Sequence, residues 1–386
     1  DRLMAQQRSA RAPATLSRMF ALPHPQDAAA PRFEDVSTSF QIAPELEVSL
    51  WAESPELYNP TAIDVDAKGR VWVTEAVNYR QWRGRNPGKH NDAGDRVVIL
   101  EDTDGDGRCD SSKVFAQEKD LVAPLGIAVI GDKVYVSCSP NLFVYTDSNG
   151  DDVPDKREVF LTGFGGHDHD HGLHSVTAGP DGKLYFNTGN AGPHVVKDRL
   201  GWTLRSGSLY NDGGEFLADN KPGLVSDDGR VWTGGLILRI GANAEGLSVL
   251  AHNFRNNYEV AVDSFGTLWQ DDNDDDGNQS CRTLYCMTGG NHGYFSSDGA
   301  RFWNADRRPG QEVQRAHWHQ DDPGVVPNGC INGAGGPTGV AVYEGELLPA
   351  KYQGAILDCD AGANVVYAHL PRAKGAGYEL EKTVLL

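Results

Sequence analysis

The sequence predicts an all-β protein built as a β-propeller, and three observations carry the prediction. First, a strand–turn–strand unit recurs: AIDVDAKGRVWVTEA (62–76), GIAVIGDKVYVSCSP (126–140), SVTAGPDGKLYFNTGN (175–190) and EVAVDSFGTLWQDDND (259–274), with a looser fifth copy, GVAVYEGELLPAKYQGAILDCDAG (339–362). Second, each copy sets apolar against polar residues with a period of two on both sides of a Gly-containing turn, which is the period of a strand. Third, 45 glycines and 20 prolines in 386 residues supply many turns and suit few long helices. Repeated strand–turn–strand units joined by outer strands are the signature of a propeller. The copies begin 49 to 84 residues apart, so loops of unequal length are inserted between them. A β-sandwich or two stacked β-domains are the architectures the same strands would otherwise allow.

Taken in order, residues 1–39 form a lead-in segment whose first 31 residues are rich in Ala, Arg and Pro. The texture changes at Phe40, and 40–386 are assigned to the propeller. Five copies are counted, and the last is followed only by AKGAGYELEKTVLL. An open ring leaves strand edges unpaired. The expectation is therefore a propeller lacking its last blade here, with native residues beyond Leu386 or another element closing it.

Bulk properties exclude some functions. With 35 basic and 54 acidic residues the net charge is −19, which argues against nucleic acid and against an anionic membrane surface. No apolar run approaches the ~20 residues of a transmembrane helix. Six cysteines occur, at 109, 138, 281, 286, 330 and 359, none in a CxxC or CxxCH pattern. That leaves a zinc ribbon and covalent haem attachment without support within this chain.

Many of the acids sit in short loops. Asp102, Asp104 and Asp106 alternate, Gly107 is sixth, and Asp110 stands where it can replace the missing twelfth-position glutamate of a calcium loop. Asp147, Asn149, Asp151, Asp155 and Glu158 form a second such loop, and Asp272, Asp274, Asp276 and Asn278 a third. Solvated Asx turns would read the same way without a metal. Calcium loops suit an exported chain, so a periplasmic or secreted location is expected.

The densest chemistry lies in GFGGHDHDHGLHSVTAGPDGKLYFNTGN, residues 163–190. His167, His169, His171 and His174 are delivered, with Asp168 and Asp170, by a rigid strand that follows a Gly turn. Imidazoles this close could hold Cu, Zn or Fe, with His167 and His169 as ligands. Two further clusters fall on loops expected at the channel: Tyr79, Arg80, Trp82 and Arg83, and His317, Trp318 and His319.

Several motifs, GGHDHDHGLHSVTAGPDGKLYFNTGN, HNFRNNYEVAVDSFGTLWQDDNDDDGN, GGNHGY (289–294) and GGPTGVAVYEGELLPAKYQGAIL, resemble in this order the soluble quinoprotein glucose and sorbosone dehydrogenase superfamily. AHWHQDDPGVVP and GAGGPTGVAVYEG look still closer to the membrane-bound-dehydrogenase-type propellers of planctomycetes and verrucomicrobia, in which a cytochrome c domain often follows. The resemblance covers roughly 45–386. It implies a six-bladed propeller that uses pyrroloquinoline quinone (PQQ) and calcium to oxidise a sugar or alcohol and passes electrons to a cytochrome. It places the general base at His171, the quinone-contacting pair at Arg255 and Asn256, and a residue near the quinone at Thr338. His174 stands where the family carries an arginine, and is the remaining cofactor-side candidate. The loop Asp272–Asn278 corresponds to the family's cofactor calcium loop, and the family's quinone-contacting lysine has no counterpart near LDCDAGANVVY (357–367). A non-catalytic binding propeller that docks a redox domain or a glycan is the competing class.

Overall fold

The computed structural model describes residues 40–210, 219–275, 277–333 and 335–386. The lead-in 1–39 and Asp276 lie outside the described residues. Blade 1 is a four-stranded antiparallel meander of β1 (Pro60–Val65), β2 (Val71–Glu75), β3 (Arg96–Glu101) and β4 (Ser111–Gln117). Blade 2 repeats it with β5 (Gly126–Ile130), β6 (Lys133–Cys138), β7 (Asn141–Thr146) and β8 (Lys156–Thr162). Blade 3 starts with β9 (Leu173–Ala178) and β10 (Lys183–Thr188). It is interrupted by a small sheet of β11 (His194–Lys197), β12 (Thr203–Gly207) and β13 (Trp232–Thr233), and resumes with β14 (Gly235–Gly241) and β15 (Ser248–Phe254).

Blade 4 has β16 (Val260–Val262), β17 (Leu268–Asp272) and β18 (Cys281–Cys286). The chain then adds β19 (Gly290–Asn291), parallel to β15, as a fifth strand on blade 3, and passes through two short helices, α1 (Trp303–Asp306) and α2 (Val313–His317). It returns to blade 4 as β20 (Cys330–Gly333). Blade 5 is β21 (Pro337–Val342), β22 (Ile356–Asp360), β23 (Val365–Lys374) and β24 (Gly377–Val384). The chain is thus an all-β propeller, and its five sequence repeats are the two innermost strands of the five blades. Six blades remains the expectation drawn from the resemblance; the described residues form five. None of their helices is long and apolar enough to cross a membrane.

The hydrophobic core is divided among the blade interfaces. Trp72, Val97 and Ile99 of blade 1 meet Ile127, Val134 and Val136 of blade 2. Tyr135, Leu142 and Phe160 of blade 2 meet Val176, Leu184 and Phe186 of blade 3. Tyr185, Ile237 and Phe254 meet Val260 and Leu268, and Ala261 and Trp269 meet Val340 and Ile356. Both faces of a blade are buried, so alternate residues of one strand serve different neighbours: Val134 and Val136 face one way and Tyr135 the other. Residues 43–57 link the two terminal blades. Ala43 N donates to Leu385 O (2.9 Å), Leu46 joins the blade 5 cluster, and Trp51 O accepts from Cys109 N (2.7 Å) on blade 1.

The innermost strands pair with their own blade on one side only. Several amides on the other edge are met by a side chain of the preceding blade. Asp64 Oδ2 accepts from Val129 N (2.7 Å), Ser175 Oγ from Val260 N (3.1 Å) and Glu259 Oε2 from Val340 N (2.9 Å). Gly126 has a different role. A Cβ there would lie 2.3 Å from His174 O, so only glycine lets blades 2 and 3 approach this closely.

Burial pushes the Glu259 carboxyl up from 4.5 to about 7, with Asp64 adding repulsion and the Val340 amide opposing. Between those two values the folded chain holds a proton that the unfolded chain has released, so stability falls as pH rises through that window. Glu259→Gln keeps the amide acceptor and removes the penalty. It should match wild type near pH 4 and exceed it above pH 7 by up to roughly 3 kcal/mol in denaturant titrations. Equal stability of the two proteins at pH 8 would contradict this.

Candidate active site

Because successive strands run antiparallel, connections alternate between the two ends of the propeller. One end receives the β2–β3 loop (residues 76–95), the blade 2–3 crossover (163–172), the β10–β14 excursion (189–234), the blade 3–4 crossover (255–259) and the β17–β18 loop (273–280). This is the end that gathers Tyr79–Arg83, the histidine run, Arg255, Asn256 and the third acidic loop. The loops 102–110 and 147–155 connect third to fourth strands and therefore lie at the opposite end.

His171 is buried at the centre of the first group. Its Nδ1 lies 2.6 Å from Asn190 Oδ1, and the ring stacks on Tyr210 with centroids 4.6 Å apart and planes at 12°. An amide oxygen can only accept, so Nδ1 carries the hydrogen and the lone pair is on Nε2. Burial drives the His171 pKa well below its usual value, and Arg255 and His169 add to this against the pull of Asp170. The imidazole is therefore neutral and basic at Nε2 across the physiological range.

The loop that carries His171 is pinned to blade 1. Asp168 accepts from the backbone amides of Arg80 (2.5 Å) and Gln81 (2.8 Å), and its carbonyl accepts from Trp82 Nε1 (3.0 Å). Arg80 returns the contact through Nε to Asp170 Oδ1 (2.9 Å). Arg80 and Asp168 both sit in the left-handed region, at φ 48° each, so two strained residues hold one another. Burial opposes the charge on Asp170, yet His171, His169 and Arg80 together keep its carboxyl below the ordinary range.

The remaining histidines have separate tasks. His167 Nδ1 contacts Ser139 O (3.0 Å), and His169 stacks on Trp82 and accepts from the amide of His171 (3.0 Å). His174 is clamped between Asn257 O at Nδ1 (2.7 Å) and Asp170 O at Nε2 (2.8 Å). Among the described residues these four imidazoles do not form a three-ligand group; the one such group is Asp102, Asp104 and Asp106.

Asn256 is buried with its Oδ1 unpartnered, as is Nδ2 of Asn190. Gly189 packs closely here, since a Cβ would come within 2.6 Å of Asn256 Oδ1 and 2.7 Å of the His171 backbone. An orphaned buried donor and acceptor beside a neutral base are groups that a bound polar ligand would satisfy. The basic residues here are arginines, Arg80 and Arg255, suited to carboxylates and quinone oxygens. These residues fit PQQ, a flat tricarboxylate. Thr338 is exposed at the start of β21, at this same end, with its hydroxyl donating to Cys359 O (3.2 Å).

In the third acidic loop the described carboxylates are held by donors of the chain itself. Asp272 accepts the Arg255 and Asn256 amides at Oδ1 (3.1 and 3.0 Å) and the Arg282 guanidinium at Oδ2 (2.8 Å), with both side chains fully buried. Burial pushes Asp272 up and Arg282 down, and their mutual attraction opposes both shifts. Asp274 accepts from Ser280 N (2.6 Å). Asn278 contacts His317, which burial lowers to about 3 despite nearby Asp275.

Sequence reasoning did not find Asn190, Tyr210, Asp275, Tyr294 or Trp303. Asn190 closes the quoted NTGN string and had a signal; Tyr210 had none. At the far end, Asp102 and Asp147 each accept three backbone amides, from residues three, four and five positions on. Asp110 and Asp155 likewise each hold the residue after that aspartate, Thr103 or Ser148. The two loops are built alike. Glu158 stands outside the second, on β8, paired with Lys156 (2.9 Å).

The comparisons agree with a β-propeller fold. The chain belongs to the family described as a domain of unknown function, DUF7133, which matches residues 32–384. No curated protein sequence matches it. Among solved structures it is similar to a PQQ-bound aldose sugar dehydrogenase of Streptomyces coelicolor, at 14% identity and a TM-score of 0.53 over 85% of this chain and 81% of that one. It is similar to the holo PQQ domain of pyranose dehydrogenase from Coprinopsis cinerea, at 14% and 0.53 over 93% and 88%. A third similar structure is a glucose dehydrogenase-type oxidoreductase of Thermus thermophilus, at 14% and 0.51 over 86% and 84%. At this identity the likeness is one of fold.

Arg282→Met would leave Asp272 charged and unpaired in a dry site. Loss of one partner of a buried pair costs about 3–5 kcal/mol, and denaturant unfolding should show a loss of that size. A change under 1 kcal/mol would mean that the pair does not organise the Arg255–Asn256 crossover.

Proposed function

We propose that this chain is a PQQ-type sugar or alcohol dehydrogenase propeller. The observation that carries the reading is His171: a buried, neutral imidazole, hydrogen-bonded at Nδ1 by Asn190 and basic at Nε2. Bound PQQ would supply the two-electron acceptor for the hydride of the hydroxyl-bearing carbon. His171 Nε2 takes the hydroxyl proton. Asn190 fixes the tautomer, Tyr210 fixes the ring plane, and Asp170 stabilises the imidazolium that results. Arg80, Arg255, Asn190 and Asn256 would hold the cofactor's oxygens. The reading extends to an exported protein with a cytochrome as electron acceptor, and to calcium in the loops around Asp102 and Asp147.

Protein reconstituted with PQQ should reduce an artificial dye with an aldose or alcohol. His171→Ala should lower turnover by about 10²–10⁴ while retaining PQQ absorbance and the melting temperature. Because the His171 pKa is depressed, its acid limb should lie well below pH 6.5 and the rate should be flat through neutrality. A wild-type rate that rises tenfold per pH unit up to pH 7 would contradict the assignment, and so would full activity in the alanine variant.

Calcium is tested separately. Chelation should lower the melting temperature and added Ca²⁺ should restore it, because a ligand that binds only the folded state stabilises it. The test loop is Asp102–Asp106, whose carboxylate oxygens lie within 4.8 Å of one another. A melting curve unmoved by EDTA would remove calcium from the reading.

A further inference from the structure

The loop at Asp272–Asn278 reads in sequence as a cation cage, but in the folded chain a cation of the protein's own is already there. Arg255 Nε donates to Asp275 Oδ1 at 2.9 Å, and Arg255 Nη1 donates to Asn273 Oδ1 at 3.0 Å. Asp275 also accepts from the Tyr294 hydroxyl at Oδ1 (2.8 Å) and from Trp303 Nε1 at Oδ2 (2.9 Å). With Asp272 held by Arg282 and two amides, and Asp274 by Ser280, each described carboxylate of the loop faces N–H or O–H donors. A Ca²⁺ ion needs six to eight oxygens at 2.3–2.6 Å with lone pairs turned inward. Here, unlike Asp102 and Asp147, which accept from neutral backbone amides, two of the described carboxylates are met by guanidinium cations: Asp275 by Arg255 and Asp272 by Arg282.

Tyr294 and Trp303 come from the excursion between β18 and β20. It climbs along β19, parallel to β15, to the end where Arg255 lies. This inserted segment, absent from the strand–turn–strand plan of the other blades, closes the loop over the guanidinium.

We propose that the Arg255 guanidinium, clamped by Asp275 and Asn273, stands in for a divalent metal at this end of the propeller, so that the site assembles without calcium. The proposal rests on the reading of this end as the cofactor side, but its test is metal binding and does not depend on catalysis.

The test is calorimetric titration of the EGTA-stripped full chain with CaCl₂, with circular dichroism melts to show that each variant is folded. Asp274→Asn should bind as many calcium ions as wild type. The double variant Asp102→Asn, Asp147→Asn should bind none. A binding event that survives the double variant and disappears in Asp274→Asn would place calcium at the Arg255 end and overturn the proposal. Arg255→Gln removes the resident cation and should gain one calcium ion over wild type. A folded Arg255→Gln protein with no gain would show that the guanidinium does not fill a cation's place, and would also overturn it. Loss of PQQ binding or activity in wild type would sink the dehydrogenase reading while leaving these calcium counts to be read as they stand.

Discussion

The inner edge of each blade is the constraint from which the rest follows. An innermost strand is paired on one side only, and its other edge offers unpaired amides to a narrow channel. This chain meets three such amides with side chains of the preceding blade: Asp64 on Val129, Ser175 on Val260 and Glu259 on Val340. Those bonds require inner strands to lie almost in contact, and Gly126 is what permits it between blades 2 and 3. Once the inner strands are drawn together, the loops at one end have nowhere to go but over the channel mouth. The convergence of Arg80, His171, Asn190 and Arg255 from two crossovers and two loops is a consequence of that packing.

Charge is then arranged by end. The two metal-type loops around Asp102 and Asp147 sit where third and fourth strands join, away from His171. At the His171 end three guanidiniums are each paired with a carboxylate: Arg80 with Asp170, Arg255 with Asp275, and Arg282 with Asp272. The base beside Arg255 stays neutral chiefly because its burial opposes a charge, and the guanidinium adds to this. A neutral, oriented imidazole beside fixed cations suits removal of a proton from a hydroxyl group.

Much of the fold was legible because strand–turn–strand repeats record local physics. All five repeats became the inner hairpins of blades, and the alternation of Val134, Tyr135 and Val136 marks a strand buried on two faces. The outer strands were less legible, since they lack a shared turn. The excursion through α1 and α2 could not be foreseen: its short helices have no long amphipathic pattern and are set by packing of Tyr294, Trp303 and Trp318. At the site, His171 was marked by its position before the GPD turn, yet Tyr210, which stacks on it, lies 39 residues away in an excursion with no repeat. The spacing of Asp272, Asp274 and Asn278 looks the same whether the loop's oxygens face a metal or an arginine. Sequence spacing records which oxygens could converge; only the fold shows what they converge on.

We propose that a redox cofactor binds against His171 while calcium stays at the other end. A crystal structure of the protein grown with PQQ and Ca²⁺, with anomalous scattering collected for calcium, tests it most directly. The account predicts PQQ within hydrogen-bonding distance of His171 Nε2, with its oxygens on Arg80, Asn190, Asn256 or Arg255. It predicts calcium peaks at the Asp102 and Asp147 loops and no peak between Asp272 and Asn278. A channel mouth without PQQ at saturating concentration, or a calcium ion displacing Arg255 from Asp275, would contradict it.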